Sequence, residues 1–234
     1  MIKLFVFVFT LLMSLQHNNY CLLDGNEPPS KGCIKDAIET KAEKQQRFYD
    51  ITKDIMEVVY EENEPAIWSY QGDMRREASL FTLLSIAYFE SGFRKDIDYG
   101  IGKMSRGDNG SSYCLMQIHL GNGKTKEGWT GEDLVNDRKK CLRTGYRMVK
   151  SSFGSCSNLP LDERLTMYAS GKCGIGLPES RARIGLAKHW FTRAPKIKDQ
   201  EVFNNMKFNI VLPNNPDEII FGRKPTSDLL SYHD

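Results

Sequence analysis

Glu90 sits in the segment Ala87-Tyr88-Phe89-Glu90-Ser91-Gly92-Phe93, where an apolar-periodic stretch runs up to a glycine. That layout reads as the C-terminal end of a helix. The macrodipole is negative there, so helix stability does not account for a carboxylate at this place. Phe89 and Phe93 flank it, and an apolar setting favours the protonated form of a carboxyl group. A carboxylic acid still protonated near neutral pH can give its proton to a glycosidic oxygen. Taken alone, the segment also fits a solvated glutamate at a helix end.

Two further segments carry polar groups among apolar neighbours. They are Ser111-Ser112-Tyr113-Cys114-Leu115-Met116-Gln117-Ile118 and Met167-Tyr168-Ala169-Ser170-Gly171. On its own segment Gln117 reads as a surface polar residue beside a strand. On its own segment Tyr168 reads as a core aromatic on a helix. A hydrolytic glycosidase would need a second carboxylate to activate water, and Asp96, Asp98 and Asp108 are the candidates. Trp129 and Trp190 could stack on sugars or anchor the core. Arg181, Arg183 and Lys188 read as a solvated helix face. Gly121-Asn122-Gly123-Lys124 lacks the full spacing of a phosphate loop and reads as a flexible turn. Histidines are scattered at 17, 119, 189 and 233 and no Cys-x-x-Cys occurs, so no metal site is expected. No cofactor is expected either.

Taken together and in order, the three segments resemble the signatures of the lysozyme-like lytic transglycosylases. That family has a Glu-Ser at a helix end, then Gly-Leu-Met-Gln, then Ala-Tyr-Asn-Ala-Gly. The resemblance covers roughly residues 70–175. It implies Glu90 as the catalytic acid and base, with Ser91, Ser112, Met116, Gln117, Tyr168 and Ser170 on the substrate side. It also implies that peptidoglycan glycan strands are the partner. In such enzymes one glutamate protonates the leaving oxygen and then deprotonates the sugar's own 6-hydroxyl, leaving a 1,6-anhydro end. Two positions depart from the pattern: Cys114 replaces a glycine, and Ala169 replaces the asparagine. A hydrolytic muramidase and a non-catalytic wall-binding protein of the same fold are the alternatives.

The elements that must position these residues follow from periodicity. Phe48, Ile51, Ile55 and Val58 share one face of a helix expected over Ile34 to Glu62. A second helix, capped by Asp73, carries Met74, Ala78, Phe81, Leu84 and Tyr88 and ends at Ser91-Gly92. Residues 94–113 read as loop or short strand. Thr130 and Asp133 resemble a capping box opening a third helix, with Val135, Leu142, Tyr146 and Val149 on one face. Two more helices are expected near 161–170 and 179–191.

Six cysteines follow an export-like start, which favours disulfides. Because the second and third motifs should line one site, their neighbours Cys114 and Cys173 are the expected pair. Cys141 with Cys156 would come next, provided the third helix stops near Met148 to Lys150. If it ran on to Phe153, Cys141 would lie about 18 Å back along it, and the three residues from Phe153 to Cys156 reach only about 10 Å. Cys21 and Cys33 remain as the third pair.

Apolar residues make up 40% and charged residues 26% of the 234 residues, enough for a packed core. A net charge of +2 is too weak for a nucleic-acid partner. Lys3 precedes an apolar run from Leu4 to Leu15, the layout of a secretory signal, and the run is short for a membrane anchor. The expected organisation is a signal over 1–20, a lead-in and helix over 21–69, a catalytic domain over 70–194 and an extension over 195–234. The expected fold is mainly α, lysozyme-like, with a small irregular loop and strand lobe and a cleft between the lobes. The protein is expected to be exported, periplasmic or extracellular, and without a stable membrane anchor.

Overall fold

The computed structural model describes residues 1–15, 21–23, 33–61, 67–68 and 76–195. The expected cap Asp73, its neighbour Met74 and nearly all of the C-terminal extension lie outside the described residues. What is described is mainly helical, with two small two-stranded sheets.

Helix α1 spans Ile2–Ser14, and α2 spans Lys41–Glu61. The start of α2 falls seven residues later than periodicity suggests, because a capping box fixes it. The Thr40 amide donates to Glu43 Oε2 at 2.7 Å and the Glu43 amide to Thr40 Oγ1 at 3.2 Å. Ahead of it, Glu39–Thr40 (β2) pairs in parallel with Leu22–Leu23 (β1). Phe48, Ile51, Ile55 and Val58 are all buried, as their spacing requires. Helix α3, Arg76–Ser91, is apolar on nearly every side over Ala78 to Ala87, which makes it the central helix of the core. The rings of α1 close over this core, Phe5 edge-on to Tyr49 at 5.1 Å and Phe7 to Phe81 at 6.0 Å. No described helix is long and apolar enough to cross a membrane.

After α3 the chain enters an irregular lobe. It holds the short helix α4 (Lys95–Asp98), two single turns of 3-10 helix, and the antiparallel hairpin of β3 (Ser112–Tyr113) and β4 (Ile118–His119). The lobe is tied down by buried charge. Asp98 takes a two-pronged bond from Arg138 at 2.9 and 2.8 Å, and Arg138 also reaches Asp54 at 2.7 Å. Burial works against the Arg138 charge, but Asp98 and then Asp54 more than compensate and raise its pKa further. Arg47 of α2 binds Glu39 and donates to the Phe93 carbonyl at 2.7 Å.

The expected third helix is two. The Thr130–Asp133 capping box opens α5, Gly131–Asn136. The backbone then breaks at Asp137 (φ −132°), whose carboxylate accepts the amides of Lys139 and Lys140 and so starts α6, Arg138–Ser155. The stretch after it also divides, into a single 3-10 turn and α7, Thr166–Ser170. Helix α8 runs from Leu177 to Arg193, with Pro178 in its first turn.

All six cysteines are bridged, but two of the three expected pairs are corrected. Cys21 joins Cys33 as expected, whereas Cys114 joins Cys141 and Cys156 joins Cys173. The reason is the length of α6. It runs through to Ser155, so Cys141 and Cys156 stand about 22 Å apart along one helix. The hairpin lies against the start of α6, where Met116 fills the notch at Gly145, and Cys114 therefore meets Cys141. Cys156 caps the far end, beside the segment that follows α7.

Candidate functional site

Glu90 lies in the last turn of α3, and the helix is ended there by local chemistry. Ser91 Oγ donates to the Ala87 carbonyl at 2.6 Å and accepts from the Phe93 amide at 3.2 Å. Gly92 (φ +55°) and Phe93 (φ +54°) both turn left-handed, and the second is strained for a bulky residue. Arg47, bonded to the Phe93 carbonyl, holds that turn. Glu90 is thereby left at the surface end of the helix, its side chain 21% exposed.

Its immediate partner is Arg183 of α8. Nη2 of Arg183 donates to Glu90 Oε1 at 2.7 Å, Nη1 donates to the Glu179 carbonyl at 3.0 Å, and the guanidinium lies 5.3 Å from the Phe89 ring centroid. Helix α8 is keyed to α3 at this level, since Ser85 Oγ donates to the Arg183 carbonyl at 2.6 Å. Arg183 is thus not part of a solvated helix face, as its neighbours suggested; its side chain is only 11% exposed. Helical spacing alone hid it, because α8 presents Arg181 outward to Glu163 and Arg183 inward. Phe93 is buried against Phe48, while Phe89 is 44% exposed, so the apolar surround of Glu90 is one-sided.

Tyr168 reaches the same place from α7. A buried serine sets it: Ser152 Oγ donates to the Arg164 carbonyl at 2.6 Å and accepts from the Tyr168 amide at 3.1 Å. The Tyr168 hydroxyl donates to the Met116 carbonyl at 2.7 Å. Burial pushes this phenol well above its ordinary pKa; the Glu90 charge pushes the same way and Arg183 opposes it. The hydroxyl therefore stays a neutral donor, within the electrostatic reach of Glu90. Tyr168 so joins the third motif segment to the second by a hydrogen bond and feels the charge of the first.

The other candidates are engaged with the protein itself. Met116 is fully buried against Gly145, where any β-carbon would lie 2.6 Å from its Cε. Gln117 (φ +44°) folds its amide back on the lobe, accepting from the Gly107 amide at 2.9 Å and donating to the Cys114 carbonyl at 3.1 Å. Ser112 donates to Asp108, and Ser170 closes the turn to Lys172 and Ile175. Ser91 and Ser112 are both buried. Asp96 and Asp98 are buried in arginine pairs, while the Asp108 side chain is 66% exposed and lies 3.5 Å from His119. Trp190 packs in the core against Tyr88, and Trp129 is half-buried under Lys140. Cys114 has φ +63°, a conformation in which glycine is the ordinary choice; its bridge to α6 holds it there.

No group of three or more potential metal ligands occurs among the described residues. Compared with known protein families, with curated proteins and with solved structures, the chain matches none.

Proposed function

We propose that the protein is an exported lytic transglycosylase that cleaves the β-1,4 bond between MurNAc and GlcNAc of peptidoglycan, with Glu90 as its acid and base. The observation that carries the reading is the hydrogen bond from the third segment to the second at Tyr168, in the field of Glu90 of the first. Its hydroxyl binds the Met116 carbonyl and its phenol responds to the Glu90 charge. Those are the three segments whose order in the chain resembles the lytic transglycosylase signatures.

The chemistry asks for one carboxyl group. Protonated, Glu90 gives its proton to the leaving oxygen as the glycosidic bond breaks. The resulting carboxylate then takes the proton of the 6-hydroxyl as that oxygen closes on the anomeric carbon, and no water is consumed. A hydrolase would need a second carboxylate beside the bond. Two of the three candidates, Asp96 and Asp98, are held in buried arginine pairs, which favours the single-carboxyl route. Three disulfides fit an oxidising compartment outside the cytoplasm. The test is Glu90→Gln, which keeps size and removes the titrating group: cleavage of purified peptidoglycan should vanish with the melting temperature retained. Near-normal activity in this variant would end the proposal.

A further inference from the structure

We infer that Arg183 is a positioning residue that directs the reacting proton of Glu90 to a single oxygen, Oε2. The inference rests on the reading of Glu90 as acid and base. Arg183 donates to Oε1 at 2.7 Å. A guanidinium can only donate, so Oε1 must remain an acceptor, and a proton on this carboxyl group belongs on the other oxygen. Oε2 has no hydrogen-bond partner among the described residues. It is the oxygen left to meet a ligand.

The guanidinium is held rather than free. The Glu179 carbonyl accepts from Nη1, the Phe89 ring forms a shelf beneath it, and Ser85 fixes its backbone carbonyl to α3. Its Nε is buried with no hydrogen-bond partner, a cost that hydrogen bonding within α8 does not explain. That cost is consistent with a head group placed to serve the carboxyl. The groups facing Glu90 are then Arg183 from α8 and the neutral Tyr168 from α7.

In the first half of the reaction the proton leaves Oε2 for the glycosidic oxygen, and the electron pair of the broken bond stays with that oxygen. The negative charge that develops on Glu90 does so beside the Arg183 cation, which assists the transfer. In the second half Oε2 accepts the proton of the 6-hydroxyl.

The test uses the full chain, purified peptidoglycan and three variants: Arg183→Gln, Arg183→Lys and Glu90→Gln. In R183Q, kcat should fall roughly tenfold to a hundredfold with a smaller change in KM, as expected when a reacting group loses its alignment. R183K keeps the charge and loses the fork, so it should recover part of kcat. R183Q folded, with the parent's kcat, would overturn the inference. A loss of activity that merely follows a lower melting temperature, with the parent's kcat regained well below the melt, would do the same. Should R183Q fail to fold, R183K decides: a reduced kcat supports the positioning role and an unchanged kcat refutes it. Activity in E90Q would instead remove the reading of Glu90 on which this rests.

Discussion

Asp98→Asn separates a structural carboxylate from a catalytic one. Asp98 receives both prongs of the Arg138 fork at 2.9 and 2.8 Å, has Arg47 at 3.9 Å, and its side chain is 2% exposed. The amide keeps one acceptor and turns an –NH₂ toward a guanidinium that can only donate. Arg138, with its side chain 13% exposed, is then left with Asp54 alone. Removing one partner of a buried pair costs about 3–5 kcal/mol. At about 2–4 °C per kcal/mol for a chain of this size, the melting temperature should fall by roughly 6–20 °C. Calorimetry or circular dichroism reads the melt, and turnover of peptidoglycan is followed well below it. There D98N should retain most of the parent's activity. A variant that melts with the parent but no longer cleaves would refute the structural role and make Asp98 the second carboxylate of a hydrolase.

Tyr168→Phe should remain folded, at a cost of about 1–3 kcal/mol for the Met116 carbonyl left without its donor. Its kcat should fall about tenfold, because the link between the motifs is cut; unaltered kinetics would reduce Tyr168 to a core aromatic. Proteolysis of unreduced protein should release the linked peptides Cys114–Cys141 and Cys156–Cys173. Loss of the first bridge in Cys141→Ser should cost about 3–4 kcal/mol for the loop it closes; a Cys114–Cys173 peptide would contradict the hairpin's place on α6. Burial holds Lys44 at about 8, with Glu39 opposing that shift and Arg47 adding to it. Between pH 8 and about 10 the unfolded chain therefore binds more protons at this lysine than the folded one does, and its contribution to stability rises with pH. Urea melts across that range should show the rise in the parent and not in Lys44→Met; parallel curves would mean the ammonium is not desolvated.

The apolar periodicities carried most of the helical frame. Phe48, Ile51, Ile55 and Val58 turned inward together, and Glu90 falls in the last turn of its helix just ahead of the glycine that ends it. Boundaries set by side-chain capping were harder to read. Thr40 with Glu43, and Asp137, start helices with groups that hydropathy does not register. The cysteine pairing failed because it followed motif order, while the partners are set by the length of α6 and the notch at Gly145. Arg183 reads as a solvated residue in its own segment, because its contact with Glu90 arises only when α8 lies on α3, a non-local fact. The resemblance placed Gln117 and Ser170 facing substrate, but local backbone geometry turns their polar groups onto the chain itself.

The most direct test of the proposed chemistry is mass spectrometry of the soluble products released from purified peptidoglycan. The single-carboxyl reaction of Glu90 predicts muropeptides ending in 1,6-anhydro-MurNAc, each lighter by one water than its reducing-end counterpart, and none from the Glu90→Gln variant. Reducing ends would contradict it in favour of hydrolysis, and the absence of any product from folded protein would contradict catalysis altogether.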